Sequence, residues 1–308
     1  MELLSADTEY LTNGFIKKKL SNCRTAFFEP KRDFYVKRCS KFITENAVAI
    51  HSEIKKSLKS GELEWISFIT SCVENTNIFA KSLEQNGIKL TVLGLGTVWK
   101  QHWGSRLRML HNYLLHVDPE KIIVWSDADD VLLAPGFDEK EIVARYRILV
   151  EKHNGPKIFY SAETACYPEG HLAGKNPESP YNQHIRFLNA GTMVSTAGVL
   201  VEYLKYIYGG DCFDDQYLAV HAFLEPLYYW ETDKLHVGTA SQAKKEKKLL
   251  VGLDYDNDLF IAAYGLHDQI VLSEKGLQFD GKMIPIVHQN GDKRTVHTFD
   301  EAAKLWIH

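Results

Sequence analysis

The sequence predicts an α/β protein built on a doubly wound, largely parallel sheet. Short apolar runs bounded by turn residues recur from Glu64 onward, and segments of helical spacing separate them. That alternation is the signature of β-α-β units, whose strands pair in parallel under covering helices. A hydrophobic fraction of 45% with 25% charged residues is that of an ordinary globular chain.

In chain order, Trp65-Ile-Ser-Phe-Ile-Thr-Ser71 reads as a strand. Residues 75–86 suit a helix capped by Asn75 or Thr76. Residues 88–93 form the next strand, followed by the turn Gly94-Leu-Gly96. Residues 107–115 are helical, and residues 122–126 are the strand that leads into an acidic cluster. A helix is predicted over 139–152, a strand over 158–162, and helices over 197–208 and 216–223. Residues 277–287 read as a hairpin turning at Asp280-Gly281. In sheets of this kind ligands sit beyond the carboxyl ends of the strands.

Residues 1–62 differ from the rest and predict a helical N-terminal extension, with 63–308 as the α/β domain. Two helices are expected in the extension, the second over about 42–59, with Ser60-Gly61 as its stop. Its basic clusters (Lys17 to Lys19, Lys31-Arg32, Lys37-Arg38) read most simply as a solvated face, with partner or acceptor binding as the alternative.

Several functional classes are disfavoured. A formal net charge of -4 argues against a general nucleic-acid binder. No apolar run approaches the ~20 residues of a membrane span. The acidic N-terminus lacks a signal-peptide core. Cys23, Cys39, Cys72, Cys166 and Cys212 are odd in number and have no CxxC spacing, which suits free thiols and a cytoplasmic location. The sequence does not set the oligomeric state.

The most informative stretch is Ile122-Ile-Val-Trp-Ser-Asp-Ala-Asp-Asp-Val-Leu-Leu133. A buried apolar run ends in Asp127, Asp129 and Asp130 and then resumes. Clustered carboxylates near a core repel one another unless something positive joins them. Mg²⁺ or Mn²⁺ is the natural neutraliser for such hard oxygen ligands, and a metal held this way commonly clamps phosphate. The plain alternative is a solvated turn. A second strand end, Ile286-Val-His-Gln-Asn-Gly291, offers the imidazole of His288 as a further ligand. Its alternative is a hydrogen-bonded structural histidine before an ordinary Asn290-Gly291 turn.

Other candidates are weaker alone. Asn189 and Gly191 in Arg186-Phe-Leu-Asn-Ala-Gly191 can bring backbone close to a ligand, or form a loop-to-strand turn. Asp214 and Asp215 either cap a helix or bind and deprotonate an acceptor hydroxyl. Glu163 follows a strand and precedes Cys166-Tyr-Pro168, so it is expected to face the cleft. Trp99 can pack on a base and Arg106 can reach a diphosphate, although aromatics of this kind are more often core.

Taken together the segments resemble a family. Leu93-Gly-Leu-Gly96 with Trp99, Asp127-Ala-Asp-Asp-Val-Leu-Leu-Ala134, Phe159-Tyr-Ser-Ala-Glu163 with Cys166-Tyr-Pro168, Arg186-Phe-Leu-Asn-Ala-Gly191, Asp214-Asp-Gln216, Leu253-Asp254 with Leu259-Phe260, and Pro285-Ile-Val-His-Gln-Asn-Gly291 occur in order. They resemble the glycosyltransferase domain of procollagen lysyl hydroxylases and its stand-alone relatives, over about Glu64 to Arg294. The resemblance implies a GT-A fold with a mixed, mostly parallel sheet flanked by helices, binding Mn²⁺ (or Mg²⁺) and a UDP-sugar. It makes Asp127, Asp130 and His288 the metal ligands. It sets Trp99 at the uracil, Arg106 where the family has a lysine near the diphosphate, and Asn189, Gly191, Asn290 and Gly291 beside the donor. Asp214, Asp215, Asn189 and Glu163 match the sugar and acceptor side. Asp129 replaces an aromatic residue and is left as a uridine or ribose contact, a third metal contact or neither. Other departures are Gln289 for a glycine, Thr192 for a glycine, and Asp292-Lys293-Arg294 for a Pro-Thr-Lys stretch.

The implied activity is transfer of glucose or galactose from UDP-glucose or UDP-galactose to hydroxylysine, galactosyl-hydroxylysine or another glycan. The acceptor would then be a hydroxylated collagen-like chain or a glycan. Two rivals remain. One is a haloacid-dehalogenase-type phosphatase using Asp127 and Asp129, with Gly210-Asp-Cys-Phe-Asp-Asp215 mimicking its second metal motif. The other is a non-catalytic nucleotide-sugar-binding protein.

Overall fold

A computed structural model describes residues 61–307, apart from 72, 98–102, 154–156, 183, 209–210, 212, 233–250 and 292–296. The predicted N-terminal helices and basic clusters, Trp99, and the cysteines other than Cys166 lie outside the described residues.

The centre of the molecule is a six-stranded sheet. Its strands are β1 (Leu63–Phe68), β2 (Leu90–Leu93), β3 (Ile122–Ser126), β5 (Ile158–Glu163), β6 (Phe187–Thr196) and β7 (Val251–Asp254), and β4 (Val131–Leu133) stands outside it. The order is β2-β1-β3-β6-β5-β7. β1 runs parallel to β2 and β3, and β5 parallel to β7, whereas β6 is antiparallel to both neighbours. The sheet is therefore mixed, as expected of a GT-A arrangement. β1, β3 and β5 are buried almost throughout, the pattern of strands covered on both faces.

The helices supply that cover. α1 (Glu74–Gln85) buries Phe79, Ala80 and Leu83, and α2 (Trp103–Leu114) buries Leu107, Leu110 and Leu114, both at helical spacing. α3 (Glu139–His153), α4 (Ala197–Ile207) and α5 (Asp215–Thr232) follow in the same manner. α1 is preceded by Val73, whose N–H donates to Thr76 Oγ1 at 2.8 Å, so Thr76 works from inside the first turn rather than as the cap. No described helix is long and apolar enough to cross a membrane.

Among the described residues, two further sheets of three strands complete the fold. β9 (Val271–Ser273), β10 (Gly276–Phe279) and β11 (Lys282–Ile284) form a meander. β4, β12 (Ile286–His288) and β8 (Phe260–Ala262) form the sheet that builds the site, in the order β4-β12-β8. α6 (Thr298–Trp306) closes against β4, β9 and β10.

Three expectations need correcting. The predicted hairpin exists and turns at Asp280 and Gly281, both at positive φ (47° and 75°), as a two-residue I′ turn requires. It ends at Ile284, however. Pro285 has no N–H to continue the ladder, and Ile286 onward enters a different sheet. The loop-to-strand turn, the alternative reading around Asn189 and Gly191, is instead the interior of the ten-residue strand β6. α2 starts at Trp103 and α5 runs to Thr232, both longer than their apolar periodicity indicated.

Strand β6 carries the irregularity that shapes the site. Tyr160 of β5 pairs with Met193, but the next residue, Ser161, pairs with Asn189. Residues 190–192 therefore bulge from that ladder, a device common beside active sites.

Candidate functional site

The site forms where β3, the bulge of β6 and the end of β12 meet. Asp127 follows the last residue of β3, and its N–H donates to Gly191 O at 2.8 Å. The turn Asp127-Ala-Asp-Asp130 then leads into β4, which pairs antiparallel with β12 so that Val131 faces His288. The Gln289 N–H extends that ladder to Asp130 O at 2.8 Å. Residues 130 and 288 thus become neighbours through strand pairing.

One ligand atom each from Asp127, Asp130 and His288 lies within 4.8 Å of the others, the grouping among the described residues able to hold a metal ion. His288 Nε2 is 3.4 Å from Asp130 Oδ1 and 3.9 Å from Asp127 Oδ2. His288 Nδ1 is 2.9 Å from Asn189 Oδ1, which also accepts the Gly191 N–H at 3.0 Å. A carbonyl oxygen only accepts, so Nδ1 carries a proton and the neutral ring turns the Nε2 lone pair towards the carboxylates. Two carboxylates and an oriented imidazole suit Mn²⁺ or Mg²⁺. Gly191 makes room for the ring: a Cβ there would lie 2.1 Å from His288 Cε1. Burial opposes a proton on His288, but Asp130 and Asp127 outweigh it and raise the imidazole above its ordinary value.

On one side of this trio stands a buried polar hub. Glu163 Oε1 accepts from Asn189 Nδ2 (3.1 Å) and Gln216 Nε2 (2.9 Å), and Oε2 accepts from Asn290 Nδ2 (2.7 Å). Burial pushes the carboxyl up to about 7, against the pull of those amides and of His288. Asn290 Oδ1 accepts the Tyr264 N–H at 3.0 Å, and Gly291, at φ 84°, lies under the Tyr264 ring, where a Cβ would come within 2.4 Å of Cδ2.

On the other side are ion pairs. Arg106 Nη1 lies 2.5 Å from Asp127 Oδ1, and Nε and Nη2 each lie 2.5 Å from Asp215 Oδ2. The Trp103 ring centre is 5.1 Å from the guanidinium carbon. Burial disfavours the charge on Arg106, but Asp127 and Asp215 more than offset it and keep the guanidinium protonated. Arg106, expected at the diphosphate, thus spends its donors on two carboxylates. Asp214 Oδ1 accepts the Tyr217 N–H at 2.9 Å and so caps α5, while Asp215 opens that helix and is 5% exposed. Asp129 is exposed, stands outside the metal-capable trio, and its carbonyl accepts from Asn75 Nδ2 at 2.8 Å.

Sequence reasoning missed Gln216 and Gln289 as site builders. Gln216 Oε1 accepts the Ala190 N–H and Nε2 donates to Leu188 O, both at 3.2 Å, so its amide serves backbone groups at the bulge. Gln289 Oε1 accepts the Phe299 N–H of α6 at 2.5 Å. Gln216 was adjacent to the acidic pair, but nothing linear announces a bulge that needs filling.

The family described as the PLOD GT domain matches residues 59–298. A procollagen-lysine,2-oxoglutarate 5-dioxygenase of Drosophila melanogaster is 29% identical over 233 residues, covering 69% of this chain and 28% of that protein. The human multifunctional procollagen lysine hydroxylase and glycosyltransferase LH3 is 26% identical over 244 residues, covering 73% of this chain and 29% of that protein. The chain spans less than a third of the length of these two relatives. Among solved structures, a glycosyltransferase involved in glycosylation of the major capsid of PBCV-1 aligns with a TM-score of 0.38 and 10% identity, covering 79% of this chain and 98% of that one.

Proposed function

The chain belongs to the PLOD GT domain family, and from that premise we propose that it is a Mn²⁺-dependent hexosyltransferase using UDP-glucose or UDP-galactose. The acceptor is a hydroxyl on hydroxylysine, on galactosyl-hydroxylysine or on another glycan. The observation that carries this reading is the convergence of Asp127, Asp130 and His288 at the ends of β3 and β12.

Asp127 and Asp130 supply carboxylate oxygens, and His288 supplies Nε2, with Asn189 fixing the tautomer. The cation, when bound, neutralises the diphosphate and so stabilises UDP as the leaving group. The bulged backbone of β6 and the Asn290-Gly291 turn line the donor side of these ligands. Glu163 and Asp214 are the acids assigned to the sugar and the acceptor. If the anomeric centre inverts, an aspartate at the start of α5 takes the acceptor proton; if it is retained, the leaving phosphate does so and no protein base is needed. In the phosphatase alternative Asp129 would act beside Asp127, but Asp129 is exposed and its backbone is tied to Asn75.

The test is a panel of UDP-sugars with Mn²⁺, scored for UDP release. We expect release with a UDP-hexose and its loss in Asp127→Ala, Asp130→Ala and His288→Ala. Phosphate release from phosphomonoesters without UDP release would favour the phosphatase. Donor binding without turnover on any acceptor would favour a non-catalytic binder.

A further inference from the structure

Asp215 is a candidate base by its place at the start of α5, yet its surroundings suit another task. It and Arg106 are 5% and 7% exposed, and they face each other across α5 and α2. Both the Nε and Nη2 of Arg106 lie 2.5 Å from a single Asp215 oxygen, Oδ2. The remaining arm, Nη1, reaches Asp127 Oδ1 at 2.5 Å. The other oxygen of Asp127, Oδ2, is the one turned to His288. Asp127 therefore divides its two oxygens between a fixed guanidinium and the metal-capable trio.

We propose that Asp215 is a positioning residue: it anchors Arg106, and Arg106 orients Asp127 so that Oδ2 faces the cation. This rests on the metal site proposed above. Access supports it, because Asp215 is 5% exposed as a whole and its Oδ2 is taken by the guanidinium, whereas Asp214 beside it is less enclosed. Charge supports it too. Asp127, Asp130 and Asp215 set three carboxylates against one guanidinium, and a divalent cation with neutral His288 balances the remainder. Without the Asp215 charge, Arg106 binds Asp127 undivided and competes with the cation for it. The end of α5 helps, since a carboxylate on a first helical residue is favoured by the helix dipole. Arg106 is thus an outer-shell partner of a metal ligand rather than a ligand of the diphosphate, and Asp214 is left as the acid that faces the acceptor.

The test measures Mn²⁺ binding to the full chain without nucleotide, by the electron paramagnetic resonance signal of free Mn²⁺. Asp215→Asn should weaken binding about tenfold, the usual scale for outer-shell partners. Arg106→Lys keeps the charge but loses the fork, and should weaken it similarly. In an Arg106→Met background, adding Asp215→Asn should change binding less than about twofold, because the path through Arg106 is gone. Asp215→Asn should also leave the shape of the pH–rate profile for UDP release unchanged. Wild-type affinity in Asp215→Asn, with a lost limb of that profile, overturns the proposal and makes Asp215 a base. If Asp215→Asn does not fold, wild-type affinity in Arg106→Lys overturns it instead. A wild-type chain that binds no Mn²⁺ sinks the metal-site reading itself, and this inference with it.

Discussion

Two buried carboxylates flank the metal-capable trio, and the fold accommodates them by opposite means. Asp215 is met by a cation: burial raises its carboxyl, and the charge and hydrogen bonds of Arg106 oppose that rise. Glu163 is met by the neutral side-chain amides of Asn189, Gln216 and Asn290. Burial prevails at both: it raises the Asp215 carboxyl despite Arg106, and against the weaker pull of amides it raises the Glu163 carboxyl to about 7. The two halves therefore answer differently to pH and to substitution. The Asp215 side is tied to a guanidinium, while the Glu163 side holds a proton that is half dissociated near neutrality.

Gly191 stands between the halves and seats the His288 ring. A Cβ there would lie 2.1 Å from His288 Cε1 and 2.7 Å from Nδ1. Gly191→Ala must therefore push the imidazole off Asn189 and away from both aspartates. We expect Mn²⁺ affinity to fall by about 100-fold, the upper range for displaced ligand support, with the Arg106 ion pairs intact. Titration calorimetry reads the affinity. A change under threefold would mean that His288 does not hold the cation.

The next effect separates the two carboxylates. The Glu163 carboxyl moves from 4.5 to about 7 on folding. At about 1.4 kcal/mol per unit, charging it in the native state costs on the order of 3 kcal/mol. The folded form binds the proton more tightly, so its stabilisation is complete below about 4.5 and is lost as pH rises towards about 7. Measured without metal, the wild type should therefore lose stability relative to Glu163→Gln across that window. Denaturant melts at several pH values check it. A wild type that gains on Glu163→Gln as pH rises would mean that the amides overcome burial, and the contrast with Asp215 would vanish. Metal binding has its own pH dependence. Because Asp130 and Asp127 raise His288, protons compete with the cation from above pH 6.5 downward, and affinity should fall as pH falls.

How much of this was legible in the sequence follows from where each contact is made. The strand over residues 122–126 was readable because the apolar run Ile122 to Trp125 ends abruptly in Ser126 and acids. Asp127 and Asp130 came with it, being local to one turn. His288 was readable as a ligand type at a strand end, but its meeting with Asp130 depends on β12 pairing with β4, and three-residue strands carry no period to read. The partners of Arg106 lie 21 and 109 residues away, so a cation that looked available for phosphate gave no sign of being occupied. The bulge of β6 was hidden for another reason: its residues are apolar or small and fit a plain strand or a turn equally well. Gln216 was invisible as the filler of a feature that exists only in three dimensions.

The smallest expected effect lies at Gln289, beside the Glu163 half. It is 4% exposed and makes two bonds of different kinds: its N–H donates to Asp130 O, and its Oε1 accepts the Phe299 N–H. His297, which precedes α6, provides no side-chain cap, so Gln289 caps that helix from a distance. Gln289→Gly keeps the backbone bond and removes the cap. The loss should be about 1 kcal/mol, or a melting point lower by about 2–4 °C. Mn²⁺ affinity should change by less than about threefold, because the strand pairing of Asp130 with residue 289 survives. A larger drop in affinity than the melting point accounts for would mean that the seating of α6, and not strand pairing alone, sets the distance between Asp130 and His288. The polar hub and the C-terminal helix would then act as one support, and the ion-paired half would be the more self-contained of the two.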